Sequence, residues 1–286
     1  MCLTSPPYFD LEVYSHEPTQ SIKKYDTYGE WIDNFIKPRK FNDTIKNLTI
    51  YAESKTSEGD LRNIYMKKGS FKDFQSTYAK KGKFKGPLHG VPITIKENID
   101  QKGYATPNGL EALKNLIAPG NAPVVDNLEK DGAIVIGRTN TPEFSMRGTT
   151  DNVIHGRTFN PWNDWASPGG SSGGASAAVM SGMGSLAHGN DIAGSLRIPS
   201  TATGACTVKP GLGRVPAYNP SQTQERGLIA QLMSVQGVIA REIKDVRLGM
   251  QSLINYDPRD PWMVDMPFQS KEIKAPVKVG FTKETL

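Results

Sequence analysis

The run Ser167-Pro-Gly-Gly-Ser-Ser-Gly-Gly174 constrains this chain more than any other stretch. Four glycines in eight residues leave a backbone that can turn sharply and let another segment come close. Standing alone, such a run is usually a flexible linker. Its neighbours argue for something built in. Trp162, Trp165 and Pro168 lead into it, and the small-residue segment Ala175-Ser-Ala-Ala-Val-Met-Ser-Gly-Met183 follows directly. That segment predicts a helix able to pack very near its neighbours.

Two further elements share this texture. Asp191-Ile-Ala-Gly-Ser-Leu-Arg197 is a second glycine-cushioned turn, opened by an acid and carrying Ser195. Gly90-Val-Pro-Ile-Thr-Ile-Lys-Glu-Asn98 predicts a buried strand over Val91–Ile95 that delivers Lys96 into the interior. Ala122 to Asp131 predicts a helix, with Pro123 in its first turn and Gly132 past its end. Ala133-Ile-Val-Ile-Gly137 then predicts a covered strand. Strand, helix, strand in that order points to an α/β layer fold. Residues 139–168 are rich in turn formers and predict loop. The stretch Val235 to Ile254 ends in an amphipathic helix with Val246, Met250, Leu253 and Ile254 at helical spacing. Toward the ends, Ile22–Ile36 and Leu61–Tyr78 predict short helices and Val277–Phe281 a strand. The polar residues 1–85 read as a segment packing on a core formed by 86–286.

Bulk properties exclude several classes. No run of about 18 apolar residues suggests a membrane span. Met1-Cys-Leu-Thr-Ser-Pro-Pro does not open a secretory signal, and Cys2 and Cys206 build neither a disulfide framework nor a zinc site. A reducing, cytoplasmic location is the expectation, with no metal and no cofactor. The net charge of +5 is mild. Lys80-Lys-Gly-Lys-Phe-Lys85 reads as a solvated loop rather than a nucleic-acid surface. Gly182-x-Gly184-x-x-Ala187 follows a helix rather than a strand, against a dinucleotide site.

Two serines and one interior lysine are the parts of a hydrolase that needs no histidine. Serine is inert at neutral pH until a base takes its proton. His89 and His155 sit in turns and read as structural. Lys96 is the better base, because burial disfavours the ammonium and lowers its pKa. The consecutive N–H groups of Ile192, Ala193, Gly194 and Ser195 can stabilise a negative oxygen, each worth about 3–4 kcal/mol where such donors are aimed inward.

Together these motifs resemble the amidase signature family. The match runs from Gly86 to Pro216 and includes Gly-Arg-Thr-Asn140-Thr-Pro-Glu-Phe, Asn160-Pro-Trp and Gly189-Asn-Asp-Ile-Ala-Gly-Ser-Leu-Arg-Ile-Pro199. The resemblance implies a three-layer α/β/α core with a mixed central sheet. It implies Ser195 as nucleophile, Ser171 as the middle member behind a cis Gly170–Ser171 bond, and Lys96 as base. It further implies a small linear carboxylic amide as substrate, cleaved to acid and ammonia or amine, with Ser145 near the pocket and Met146 and Trp165 as candidates for an acyl channel. Asp191 and Arg197 are expected to brace the turn. Two alternatives stand beside this: an ammonia-supplying amidotransferase subunit acting on misacylated tRNA, against which Ile198 argues, and an inactive relic. Ala193 replaces a usual glycine, and Glu97 a usual aspartate. Family members run longer, so the chain is expected to be the N-terminal portion of such a domain. A sheet left with an uncovered edge is prone to pair with a second copy, which makes a homo-oligomer the corresponding expectation.

Overall fold

The computed structural model describes residues 3–4, 85–222 and 224–268. A six-stranded mixed sheet organises them. In chain order its strands are β1 (Leu3–Thr4), β2 (Pro92–Lys96), β3 (Ile134–Thr139), β6 (Leu186–Asp191), β7 (Cys206–Val208) and β8 (Val235–Ala240), with spatial order β1-β7-β8-β6-β2-β3. β2 runs parallel to β3 and β6, whereas β6–β8, β8–β7 and β7–β1 are antiparallel. A separate two-stranded ribbon joins β4 (Asp151–Asn152) to β5 (Gly156–Arg157).

Two apolar clusters flank the sheet. Helices α1 (Pro123–Lys130) and α5 (Ile243–Leu253) cover one face, placing Val124, Val125, Leu128, Val246, Met250 and Leu253 against Ile93, Ile95 and Val238. Helices α2 (Gly173–Met180) and α3 (Arg197–Thr203) lie on the other, where Ala175, Val179 and Leu196 meet Ala187 and Ile239. The adjacent residues Val238 and Ile239 of β8 thus serve opposite layers, as the two-residue period of a strand requires. Three layers with a mixed sheet is the architecture expected. A short helix, α4 (Leu228–Met233), leaves Leu228 and Ile229 exposed.

The predicted β2, α1 and β3 are present within one to two residues of their expected bounds. The small-residue helix begins earlier than expected, at Gly173. The strands β1, β6, β7 and β8 and the β4–β5 ribbon are not among the expected elements. β6, Leu-Ala-His-Gly-Asn-Asp, has no β-branched residue, and β8 runs almost directly into α5, so neither stands out as a strand by its pattern. The expected elements at Ile22–Ile36, Leu61–Tyr78 and Val277–Phe281 lie outside the described residues. Among the described residues no helix is long and apolar enough to cross a membrane.

Candidate active site

The parallel strands β2, β3 and β6 end together, and the chemistry collects at those carboxyl ends, where open α/β sheets place their ligand sites. Lys96 is the last residue of β2. Alternation sends Ile93 and Ile95 under α1 and α5, so Lys96 turns to the side where α2 begins. It is fully buried there. Its Nζ lies 2.7 Å from Ser171 Oγ, 3.1 Å from Ser172 Oγ and 2.8 Å from Asn190 Oδ1. Burial drives its pKa down, the charges of Asp191 and Glu97 push it partly back up, and the outcome is about 7.

The glycine-rich run delivers the two serines at the start of α2. Its Gly170–Ser171 peptide bond is cis, as the resemblance implies. Both serines are buried. Thr141 Oγ1 donates to the Ser171 carbonyl at 3.0 Å, and Thr150 Oγ1 donates to the Gly169 carbonyl at 2.9 Å. Close approach explains Gly174: a Cβ there would stand 2.5 Å from the backbone N and O of Asn140.

Ser195 sits, half-buried, in the turn between β6 and α3. Its carbonyl accepts the Ser172 N–H at 3.2 Å, so the two serine-bearing turns touch through their backbones. Asp191 holds the turn. Its carboxylate accepts the N–H groups of Gly194 (2.8 Å) and Leu196 (3.1 Å) and two bonds from the Arg197 guanidinium at 3.0 Å. Burial would raise its pKa, but these hydrogen bonds and the Arg197 charge hold it below the ordinary carboxylate value.

One expectation requires correction. The Gly194 N–H is committed to Asp191 Oδ1, which removes it from the donor set expected of residues 192–195. At φ +119°, this backbone is one that side-chain-bearing residues rarely adopt. The N–H groups of Ile192, Ala193 and Ser195 make no hydrogen bond among the described residues, and Ala193 does not take a positive φ. Three donors therefore stand where four were expected.

Ser145 is linked to Lys96 indirectly. Its Oγ accepts from Asn98 Nδ2 at 2.9 Å and donates to Asn108 Oδ1 at 2.7 Å, while Asn98 and Asn190 exchange amide hydrogen bonds. Ser145 and Phe144 both take positive φ, near +58° and +55°, an outlying conformation of the kind that gathers at functional sites. Met146 and Trp165 are exposed, at 83% and 81%, so neither forms a channel wall among the described residues. Glu97 is buried, accepting the Gly109 N–H at 3.1 Å and facing His155 Nε2 at 2.8 Å. That hydrogen bond raises the His155 pKa, against the effect of partial burial and helped by the Glu97 charge.

Ser172, Asn190, Asn98 and Asn108 were not singled out from the sequence. Asn190 carried one available signal, an amide next to an acid at the end of a motif already marked.

A family model described as Amidase matches residues 72–286. The chain is 57% identical over 198 residues to an indoleacetamide hydrolase of Bradyrhizobium diazoefficiens, covering 69% of this chain and 38% of that protein. It is 43% identical over 180 residues to an acylamidase of Rhodococcus erythropolis, covering 63% of this chain and 36% of that one. Among solved structures it is similar to a bacterial aryl acylamidase of the amidase signature family, with TM-score 0.62 and 27% identity, covering 81% of this chain and 48% of the other. The chain thus spans about two fifths of the length of the curated relatives it matches.

Proposed function

The chain belongs to the amidase family, and from that premise we propose that it hydrolyses a carboxamide through an acyl-enzyme formed on Ser195. The observation that carries this reading is a buried amine with a pKa near 7 lying 2.7 Å from a buried serine hydroxyl. A lysine with that pKa is half neutral at neutral pH and can act as a general base. Neutral Lys96 takes the Ser171 proton as Ser171 takes that of Ser195, and the Ser195 oxygen attacks the amide carbonyl. The N–H groups of Ile192, Ala193 and Ser195 receive the resulting oxyanion. The relay then returns its proton to the departing nitrogen. Water, deprotonated by the same route, releases the acid and restores the serine.

Similarity to an indoleacetamide hydrolase favours a carboxamide on an aromatic acyl group over the expected linear amide, and makes indoleacetamide the first substrate to try. Incubating the purified chain with indoleacetamide and measuring ammonia and the free acid tests the reading. Equal release of both by wild type, absent in Lys96→Ala and Ser195→Ala, is the expected result. A well-folded wild type that releases neither product from indoleacetamide or anilides, and takes no fluorophosphonate on Ser195, would refute it.

A further inference from the structure

Lys96 has three oxygen neighbours, and a neutral amine has only two hydrogens to give them. Asn190 Oδ1, at 2.8 Å, can only accept, so it takes one N–H. Ser172 Oγ sends its own hydrogen to the Asn190 carbonyl at 3.3 Å and is left to accept the second N–H at 3.1 Å. The remaining direction on Nζ faces Ser171 Oγ at 2.7 Å. We infer that Asn190 is a positioning residue that, through its side-chain oxygen and its backbone carbonyl together, aims the free electron pair of Lys96 at the Ser171 hydroxyl. The inference rests on the hydrolytic reading above, since it assigns a direction to the base named there.

The amide itself is held in one orientation. Asn190 Nδ2 donates to Asn98 Oδ1 at 2.9 Å, and Asn98 Nδ2 donates to Ser145 Oγ at 2.9 Å, which in turn donates to Asn108 Oδ1. Turning the Asn190 amide over would set N–H against N–H at Lys96 and break the exchange with Asn98. The outlying backbone at Phe144 and Ser145 then has a purpose, because it holds the Ser145 hydroxyl under this chain of amides. Among the described residues, other charged or titratable groups around Lys96 are Asp191 with Arg197, Glu97 with His155, His188 on β6 and Arg138 on β3. None is altered in the variants below.

Two near-isosteric variants separate aiming from packing. In Asn190→Asp a carboxylate faces Nζ and favours the ammonium. The acid limb of fluorophosphonate labelling at Ser195, and the Lys96 titration read from its 13Cε chemical shift, should both move up by at least about one pH unit, a tenfold loss of labelling near neutrality. In Asn190→Leu the acceptor is gone without added charge, and the alkaline plateau of labelling should fall at least about tenfold. A merely structural role would lower labelling with the lysine titration unmoved. An unmoved titration in Asn190→Asp, or a wild-type plateau in Asn190→Leu, overturns the inference; if the leucine variant does not fold, the aspartate variant decides alone. Wild type that takes no label while Lys96 titrates near neutrality removes the hydrolytic reading and this inference with it. That pattern differs from the preceding one, in which wild type is labelled.

Discussion

On the proposed hydrolytic reading Lys96 sets the pH behaviour of the site, because only its neutral form can accept a proton. With its pKa lowered to about 7, labelling of Ser195 should fall about tenfold per unit below that value and level off above it. A stopped-time labelling series across the range measures this, and a flat or falling profile from acid to alkaline would exclude Lys96 as the base. Asp191 works at the same scale but on the turn rather than the proton. It is fully buried, and Asp191→Asn removes the carboxylate that faces Arg197 and weakens the bonds to Gly194 and Leu196. Losing charge-assisted hydrogen bonds of this kind costs about 1.5–3 kcal/mol. Urea unfolding at neutral pH should show that loss together with reduced labelling, and retention of both would show that the turn holds without its carboxylate.

The first turn of α2 is seated against the segment after β3, and Gly174 marks the contact. Gly174→Ala puts a methyl against the Asn140 backbone, which has no flexible end to give way. Overpacking of this kind costs about 1–3 kcal/mol. Gly148→Ala, where nothing lies within 4 Å and φ is not positive, serves as the neutral control. Denaturation midpoints of the two variants should separate, with labelling lost only in the first. Legibility also divides at this scale. β2, α1 and β3 could be read because proline entry, apolar runs and a terminal glycine act locally. β6 could not, since its histidine, glycine, asparagine and aspartate become strand only by pairing with β2 and β8. The serines and the lysine of the site were legible as motif residues. The amide chain from Asn190 to Asn108 was not, because it joins four loops and strand ends that meet only in the folded sheet. The loss of Gly194 as a donor was equally hidden, since it depends on where the Asp191 carboxylate turns.

Burying two bases inside one three-layer body makes the whole molecule's stability a function of pH. His188 is fully buried against Gln236, and burial outweighs that hydrogen bond, with the Lys96 and Arg138 charges adding to the fall from 6.5 to about 3. Between those values the unfolded chain holds a proton at His188 that the folded chain lacks, so stability rises with pH through this window. Lys96 repeats the effect between about 7 and 10.5. Each contributes a slope of at most about 1.4 kcal/mol per pH unit. Asp191 acts in the same sense at lower pH, its lowered pKa giving stability that is lost on acidification. His155, with its pKa raised by Glu97, acts oppositely above its ordinary value, but it is half exposed and the contribution is correspondingly screened. Cys206 also opposes the trend on the alkaline side, because burial raises its thiol above 9.0. The His188 and Lys96 windows together predict stability that keeps rising to the alkaline side of neutrality. Urea midpoints at about pH 5, 7 and 9 should therefore increase in that order, as the two windows predict. His188→Gln should flatten the acidic part of the curve and leave the Lys96 part intact. A wild-type midpoint that declines between neutral and alkaline pH would mean that Lys96 is not held in its low-pKa environment, and the neutral base that the hydrolytic cycle requires would lose its physical support.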